Sequence, residues 1–319
     1  MADVLFVLDP LPTLKPRADT SYVMITEALR RGHRPYYVTL DGLSLHGGQA
    51  FARARLVGPA SDDLSAPMID RGEPEHRSLA SFAVVLMRKD PPVDASFISA
   101  TWILDRAGTL VLNDPHGLRD FNEKLSMLAF PDLIPETRLL RRTADLRAML
   151  DELGGRMIVK PLLGHGGHEV LMAIDGDPNL STVLEIATAD ETRWTVAQQF
   201  VPEASEGDKR ILLVDGEAVG AVLRVPSRGE LRNNFHAGGS PSATELSERD
   251  REICSRLGPW LREHGQLFAG IDVLGQYLTE INVTSPTGMQ EINRLGGLTG
   301  DATMQAKFWD AVEARLASV

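Results

Sequence analysis

A lysine followed by a glycine-rich loop is the first feature of the sequence that suggests chemistry. Lys160 ends a predicted strand, and Gly164, Gly166 and Gly167 come soon after it. Glycines let backbone N–H groups approach an anion closely, and the lysine adds a full positive charge. Because the lysine precedes the glycines and no GK[ST] motif follows, this is not a Walker loop. The segment predicts phosphate binding, although a tight hairpin bend without a ligand would have the same composition.

A second group of polar residues lies in the segment 270–288. Glu280 and Asn282 are two positions apart on a predicted strand, so their side chains point to the same face. A three-residue turn at 275–277 would set Asp272, on the preceding strand, opposite Glu280. Two carboxylates and an amide oxygen suit Mg²⁺ better than zinc. The pattern predicts a magnesium site, with solvated hairpin acids as the alternative.

Cationic side chains and a hydroxyl-rich bend accompany these two motifs. The bend, residues 284–288, can bind a substrate carboxylate through N–H and O–H donors. Lys124 is predicted at the border of the apolar stripe of a helix, and Arg210 at the start of a strand. Three more arginines follow, at Arg224, Arg228 and Arg232. Each has a solvated charged surface as its alternative, but phosphoryl transfer requires several cations around the equatorial oxygens.

The elements that must position these residues begin as alternating strands and helices. A helix is predicted to end at Gly32, with Asp19 or Thr20 as its N-terminal cap. Strands that end in polar loops are where open α/β sheets bind ligands. The opening of the chain is therefore predicted to be βαβ-like. Short apolar runs predict its strands at 4–8, 35–40, 82–87 and 109–112.

After residue 117 the pattern changes to hairpins. Helices are predicted through 118–128 and from Thr143 to Gly154. The following strands at 156–160 and 169–174 are too close for a parallel crossover and must be antiparallel. Asp215-Gly216 predicts another tight hairpin, between strands at 211–214 and 217–225. The second part of the chain is thus predicted to be α+β.

Composition excludes several classes of protein. The chain has 319 residues, a 43% apolar content and a formal net charge of −11, which disfavours binding to nucleic acid. No run approaches the roughly 20 apolar residues of a membrane span, and the N-terminus does not resemble a secretory signal. The single cysteine, Cys254, excludes an internal disulfide and is predicted to pack in an amphipathic helix. We expect a cytoplasmic protein with no nucleic-acid or membrane partner.

Six phrases, taken in order, resemble the ATP-grasp superfamily and, more narrowly, the prokaryotic glutathione synthetases. The resemblance implies an ATP-grasp fold behind an N-terminal Rossmann-like domain at 1–120. The central ATP-grasp subdomain with its glycine-rich lid would occupy 121–201, and the C-terminal subdomain 202–319. The phrases are LDP near the start, MRKDPP at 87–92, LRDFNEKL at 118–125, VKPLLGHGG at 159–167, GDKRILLVDGE at 207–217 and TEINVTSPTG at 279–288.

The resemblance also implies roles for individual residues. Lys124 and Lys160 would bind ATP phosphates under a mobile glycine loop. Residues 199–201 would form the hinge against adenine, and Asp208 would lie near the ribose. Arg210 would hold the transferred phosphoryl group, and it and Lys160 would be the catalytic residues. The implied ATP-binding residues are Lys124, Lys160, Gly164, Gly166, Gly167, Gln199, Phe200, Val201, Asp208 and Arg210.

Metal and substrate would lie beside the nucleotide. The implied ligands of magnesium, with manganese as a second possibility, are Asp272, Glu280 and Asn282. Arg88 and Lys89 would lie near the dipeptide. The residues that would line the substrate pocket are Arg88, Arg224, Ser285, Pro286 and Thr287.

The implied activity is the ATP-dependent ligation of γ-L-glutamyl-L-cysteine to glycine through an acyl phosphate, by a homo-oligomer that is a dimer or a tetramer. A sister ligase with another donor or acceptor is the main alternative. A nucleotide-binding protein without catalysis would lose ligands that are all present here. A dehydrogenase is disfavoured because no GxGxxG follows the first strand.

Two departures from the family pattern concern loops. His165 and His168 add bulk and titratable groups to the glycine loop. The segment 229–239 keeps an arginine and a glycine pair but differs between them. Loop closure and the choice of acceptor are therefore the least determined parts of the prediction.

Overall fold

The structure, a computed structural model, describes residues 1–61, 63, 66–164, 166–227 and 239–318. His165, Arg228, Arg232 and the segment 229–238 lie outside these residues. Within the described residues the strands form three sheets, of eight, four and five strands. Among the helices in the described ranges, none is long and apolar enough to cross a membrane.

The eight-stranded sheet is built from the first third of the chain. Its centre, in the order β2-β1-β7-β8, is parallel, and β3 to β6 extend it on the β2 side. The predicted βαβ opening is confirmed, and Asp19 caps α1. The elements are β1 (Asp3–Val7), α1 (Thr20–Arg30), β2 (Arg34–Val38), β3 (Leu43–His46), β4 (Gln49–Pro59), β5 (Met68–Asp70), β6 (Glu75–Ser78), β7 (Val84–Met87), α2 (Ala95–Leu104), β8 (Leu110–Leu112) and α3 (Pro115–Asp120).

The four-stranded sheet follows in the order β11-β10-β12-β9 and is antiparallel, as predicted for its β10–β11 pair. Two helices cover it, and their apolar side chains form a core with the sheet that is separate from the other cores. The elements are β9 (Thr137–Leu140), α4 (Thr143–Glu152), β10 (Arg156–Pro161), β11 (Leu171–Ile174), α5 (Leu180–Thr188) and β12 (Thr195–Gln199).

The five-stranded sheet has the antiparallel order β15-β14-β13-β16-β17. The predicted hairpin at Asp215-Gly216 joins β13 to β14. Helix α6 carries Cys254, which is buried as predicted, and burial raises the pKa of its thiol to about 12. The elements are β13 (Asp208–Val214), β14 (Glu217–Val225), β15 (Ser240–Ala243), α6 (Glu248–Glu263), β16 (Phe268–Leu274), β17 (Tyr277–Asn282), α7 (Met289–Gly296) and α8 (Met304–Ala317).

The predicted helix through 118–128 is wrong. Helix α3 ends at Asp120, and a short 3-10 helix occupies Ser126–Ala129. Between them the side chain of Asn122 accepts hydrogen bonds from the backbone N–H groups of Lys124 (2.9 Å) and Leu125 (3.3 Å). An asparagine that bonds to the following backbone competes with helix formation, so the chain turns here. Lys124 therefore lies in a turn rather than on a helix.

The first and last helices join the N-terminal sheet to the C-terminal part of the chain. Trp309 on α8 is fully buried and donates from Nε1 to the carbonyl oxygen of Met24 on α1 at 2.8 Å. Both residues belong to one apolar core that also includes Phe6 from the eight-stranded sheet and Val222 from the five-stranded sheet. A single core therefore spans two of the three sheets.

Asn113 makes a second connection between these two sheets. Its Nδ2 donates to the carbonyl oxygens of Phe268 and Val283, both at 2.6 Å, and its Oδ1 accepts from the N–H of Phe268 at 2.9 Å. A buried amide with all of these hydrogen bonds satisfied fixes the relative position of β8 and β16.

A glycine contact between α6 and the β13–β14 turn gives a prediction about stability. A Cβ added at Gly258 would overlap the carbonyl oxygen of Gly216 and lie 3.3 Å from its carbonyl carbon. Alanine gains about 1 kcal/mol over glycine in a free helix, but overpacking against backbone costs about 1–3 kcal/mol. We therefore expect Gly258→Ala to lower the free energy of unfolding in urea. Gly72→Ala, where a Cβ meets no atom within 4 Å, is the control; equal stability of both variants would contradict the prediction.

Candidate active site

One face of the five-stranded sheet carries the residues predicted to bind metal and phosphate. Asp272 pairs with Glu280 across β16 and β17, and Gly270 pairs with Asn282, so the three polar residues share a face. The three-residue turn predicted between the strands is wrong, because Leu274 pairs with Tyr277 and leaves a two-residue turn. A bulge between Asp272 and Val273 takes up Thr279 as the extra residue and restores the predicted pairing.

Two arginines enclose the carboxylate of Asp272. Arg210 on β13 bonds to both of its oxygens, Nε to Oδ1 at 2.5 Å and Nη2 to Oδ2 at 2.9 Å. Arg224 on β14 lies 3.0 Å from Oδ2 through its Nη2 and also bonds to Asp208 at 2.8 Å. Asp272, Arg210 and Arg224 are all buried. The predicted site residues of three strands thus form one ion-pair network.

The pKa values of Asp272 and Asp208 shift in opposite directions because their surroundings differ. Burial alone would raise the pKa of Asp272, but the guanidinium groups of Arg210 and Arg224 outweigh it and hold the pKa well below the usual range. Burial dominates at Asp208 and raises its pKa, although Arg224 opposes the shift. Asp272 is therefore a fixed negative charge between two fixed positive charges.

Lys160 brings the four-stranded sheet to this face. Its Nζ lies 4.0 Å from Oε1 of Glu280 on β17 and donates to Oε1 of Gln198 on β12 at 3.2 Å. Burial lowers the pKa of Lys160, while Glu280 acts in the opposite direction. The pKa of Glu280 is raised, first by burial and then by the charge of Glu123. Lys160 and Glu280 thus meet across the space between the two sheets.

The turn after α3 carries Lys124 to the same place. Its Nζ donates to the carbonyl oxygen of Gly164 and to the carboxylate of Glu123. Burial lowers the pKa of Lys124, but Glu280 and Glu123 outweigh it and raise the pKa. Lys124 is therefore a buried cation that touches the predicted glycine loop, where Gly166 and Gly167 have left-handed φ angles of 62° and 74°.

The bend at 284–288 lies against Arg88 and Arg210. Arg88 donates from Nη2 to the carbonyl oxygen of Pro286 at 3.1 Å, and Ser285 Oγ donates to the carbonyl oxygen of Arg88 at 3.3 Å. Arg210 Nη1 donates to the carbonyl oxygen of Thr287 at 3.3 Å. The bend therefore connects the eight-stranded sheet, which carries Arg88, to the ion-pair network.

The segment 199–201 joins the two smaller sheets. Gln199 ends β12 and is exposed, Phe200 is half-buried with its ring 5.2 Å from the guanidinium carbon of Arg156, and Val201 is buried. Neither Phe200 nor Val201 belongs to a strand. The position fits a hinge, and the role of these residues in binding adenine stays a prediction.

The residues predicted to hold a divalent cation fit one in part. The Nδ2 atom of Asn282 is buried without a hydrogen-bond partner among the described residues, so this amide lacks a group to bind. Rotation of the amide would present its oxygen, a ligand suited to magnesium, on the sheet face that also carries Glu280. Both oxygens of Asp272 are instead bound by Arg210 and Arg224. Glu280, and Asn282 once its amide is rotated, therefore fit a cation, whereas Asp272 does not while it keeps its arginine contacts.

Sequence reasoning missed two residues at the site, Gln198 and Glu123. Gln198 holds Lys160 and, through Nε2, bonds to Thr137 Oγ1 at 2.9 Å. Alternation along β12 puts Gln198 on the same face as Val196, but only the register with β10, which pairs Val196 with Lys160, makes this the face of Lys160. Glu123 could not have been found, because its position depends on the turn at Asn122.

The fold and this site define the class of the protein. Two α+β units that enclose buried lysines, a glycine loop and a row of acids are the ATP-grasp arrangement, and a family model described as "Prokaryotic glutathione synthetase, ATP-grasp domain" matches residues 123–297. A second model, "Prokaryotic glutathione synthetase, N-terminal domain", matches residues 2–119. The chain belongs to the prokaryotic glutathione synthetase family, which confirms the resemblance predicted from the sequence.

Curated relatives agree over nearly the full length. A glutathione synthetase of Xanthomonas axonopodis pv. citri is 45% identical over 316 residues, 98% of this chain and 98% of its own. A glutathione synthetase of Brucella melitensis biotype 1 is 42% identical over 310 residues, 97% of each chain.

Solved structures with the same fold are more distant in sequence. The D-cycloserine synthetase DcsG superposes with a TM-score of 0.69 at 13% identity, over 98% of this chain and 99% of its own. The ATP-grasp ligase PsnB, complexed with a phosphomimetic variant of a minimal precursor, Mg and ADP, gives a TM-score of 0.60 at 17% identity, over 98% of each chain. These likenesses confirm the predicted ATP-grasp fold.

Proposed function

We propose that this chain is a glutathione synthetase, which ligates γ-L-glutamyl-L-cysteine to glycine with cleavage of ATP to ADP and phosphate. The observation that carries the proposal is the buried group of Lys160, Arg210 and Arg224 around Glu280 and Asp272, at the meeting of the two smaller sheets. Its cations suit the charge of a transferred phosphoryl group. The curated names of the relatives support the choice of substrates.

The nucleotide would lie between the four- and five-stranded sheets. Lys124 and Lys160 would bind its phosphates, and the loop of Gly164, Gly166 and Gly167 would cover them. Gln199, Phe200 and Val201 would contact adenine, and Asp208 the ribose. In this placement the nucleotide would lie between the second and third of three domains, which we place at 1–120, 121–201 and 202–319.

Magnesium, or manganese in its place, would be held by Glu280 and Asn282. Asp272 would be a third ligand, and to bind the cation it would have to give up a contact with Arg210 or Arg224. When bound, the cation would neutralise charge on the phosphates of ATP and so favour attack by an anionic carboxylate. The remaining chemistry falls to side chains of this chain.

In the proposed reaction a carboxylate oxygen of the dipeptide bonds to the γ-phosphorus of ATP, and the bond to the leaving oxygen of ADP breaks. Lys160 and Arg210 would stabilise the transferred group and the acyl phosphate. The amine of glycine, having lost a proton, then attacks the acyl carbon and expels phosphate. Because water would hydrolyse the acyl phosphate, the site must exclude it, which suits a closing glycine loop.

The substrates would lie toward the eight-stranded sheet, in a pocket made by Arg88, Arg224, Ser285, Pro286 and Thr287. Arg88 and the bend at 284–288 are in contact, and together they offer cationic and hydroxyl donors to a carboxylate. We also infer that the enzyme works in the cytoplasm as a homo-oligomer, a dimer or tetramer. Light scattering on a size-exclusion column would give its mass.

Release of ADP tests the function directly. Purified protein with ATP, Mg²⁺ and γ-glutamylcysteine is expected to release ADP steadily only when glycine is also present. Omission of glycine, or its replacement by other amino acids, should reduce the rate to background. Turnover with a different pair of substrates would keep the ligase chemistry and identify a sister ligase. No turnover with any pair would refute the proposal.

A further inference from the structure

Arg88 carries a buried positive charge to which the described residues offer no ion pair. Its side chain is only 5% exposed, and its Nε donates to Ser21 Oγ at 3.2 Å. Nη2 donates to the neutral carbonyl oxygen of Pro286, and Nη1 has no hydrogen-bond partner among the described residues. A buried cation costs free energy unless an anion compensates it. A carboxylate on a ligand would supply that anion.

Asp19 carries the opposite charge and also lacks an ion pair with the described residues. Its Oδ1 caps α1, accepting from the N–H groups of Ser21 (2.6 Å) and Tyr22 (3.4 Å), whereas Oδ2 accepts no hydrogen bond from any residue in the described ranges. No lysine or arginine of those ranges forms an ion pair with it. Burial raises the pKa of Asp19, and the charge of Arg88 acts against that shift, so the two groups are close enough to interact.

The two groups lie together at the seam between the eight-stranded sheet and the bend at 284–288. Arg88 bonds to Ser21 in the first turn of α1, which Asp19 caps. Gln290, at the start of α7, donates from Nε2 to the carbonyl oxygen of Asp19 at 2.6 Å. The helix that follows the bend therefore holds the Asp19 backbone beside the proposed substrate pocket.

Lys89, the residue after Arg88, does have an ion-pair partner. Lys89 was expected near the dipeptide, but its Nζ forms an ion pair with Asp9 at 3.0 Å. Its charge is already compensated, whereas Arg88 feels the charges of Asp90 and Asp19 without forming an ion pair with either of them in the described ranges.

We propose that Asp19 and Arg88 bind the α-amino-acid end of the donor dipeptide, Asp19 its ammonium group and Arg88 its α-carboxylate. The inference rests on the proposed function and adds a specificity residue to it. A zwitterionic end matches one unpaired carboxylate beside one unpaired guanidinium. Glycine is the wrong occupant, because an acid beside its ammonium group would favour the protonated amine, which cannot attack an acyl phosphate.

Two substrate analogues separate the two contacts. Glutarylcysteine lacks the ammonium group, and γ-aminobutyrylcysteine lacks the α-carboxylate. A charge-assisted hydrogen bond corresponds to about 10- to 100-fold in affinity, so the wild-type enzyme should show a kcat/KM lower by about that factor for each analogue. Rates are measured as ADP release with saturating glycine and ATP.

The informative variant is Asp19→Asn, because asparagine caps a helix as well as aspartate does. We expect an unchanged melting temperature and an unchanged KM for ATP. The preference for γ-glutamylcysteine over glutarylcysteine should collapse toward unity, whereas the preference over γ-aminobutyrylcysteine should persist. Arg88→Lys should weaken the second preference and leave the first.

Asp94→Asn is the matched control, since Asp94 caps α2 by accepting from Phe97 N–H at 2.9 Å and lies outside the proposed pocket. It should change neither preference. If Asp19→Asn keeps full discrimination against glutarylcysteine, the assignment of Asp19 is refuted while the synthetase function stands. If Asp19→Asn fails to fold, equal rates of the wild-type enzyme with both dipeptides would refute it instead. Failure of the wild-type enzyme to ligate γ-glutamylcysteine would refute the proposed function itself.

Discussion

Lys160→Met is expected to reduce kcat/KM for ATP by about 10²- to 10³-fold, the usual effect of removing one electrostatic contact to a reacting group. Methionine keeps most of the apolar length of the buried side chain and removes the ammonium group, with its charge and its hydrogen bond to Gln198. The lysine faces Glu280 at 4.0 Å and bonds to Gln198, so its ammonium group is held where the two sheets meet. ADP release over a range of ATP concentrations measures the effect.

The variant should remain folded, because burial already disfavours the charged form of Lys160. Lys307→Met provides a comparison, since Lys307 is also partly buried and donates to a carbonyl oxygen, that of Val219, but lies on α8 away from the site. Its kcat/KM should stay within a factor of about two, the effect of a change well below 1 kcal/mol. Retention of normal activity by Lys160→Met would remove Lys160 from the proposed mechanism.

Asp272→Asn should have the largest effect on stability. The carboxylate compensates both Arg210 and Arg224, and all three side chains are buried. Removal of one member of a buried ion pair leaves an uncompensated charge and costs about 3–5 kcal/mol. We expect a correspondingly lower free energy of unfolding in urea, together with loss of ADP release, because Arg210 would no longer be held in place.

An exposed aspartate–arginine pair shows whether burial is the cause. Asp132 forms an ion pair with Arg256 at 2.9 Å, and both side chains are about half exposed. Asp132→Asn should change the unfolding midpoint little, since exposed pairs are screened by water and salt. Equal destabilisation by the two substitutions would show that burial does not increase the contribution of the Asp272 network to the free energy of unfolding.

Much of the site could be predicted because short-range patterns determine it. Alternation along β17 puts Glu280 and Asn282 on one face whatever the rest of the fold does. The placement of Asp272 depended on a turn, and the assumed turn was wrong. The pairing was nevertheless right because the bulge at Thr279 added a residue that the shorter turn had removed, a compensation with no signal in the sequence.

Other parts of the fold were missed because their signals were weak. No strands were predicted at β3 to β6. Strand β4 buries Ala50, Ala52 and Ala54 at alternate positions. Alanine has a small apolar surface and is depleted in strands, so this alternation does not read as a β pattern. The proximity of Asp19 to Arg88 was equally hidden, because the fold brings together two residues that are distant in sequence.

The shared core of α1 and α8 has a consequence for the order of events on the ribosome. Trp309 packs on Met24 from the other end of the chain, in a core that includes Phe6 and Val222. The sheet face that joins this core is covered by α1 from the start, but the rest of its cover is complete only when α8 has been synthesised. Domains usually fold as the chain is synthesised, but the core of the eight-stranded sheet cannot be completed until α8 has been made. Removal of α8 should accordingly destabilise the eight-stranded sheet, although α8 is translated long after that sheet.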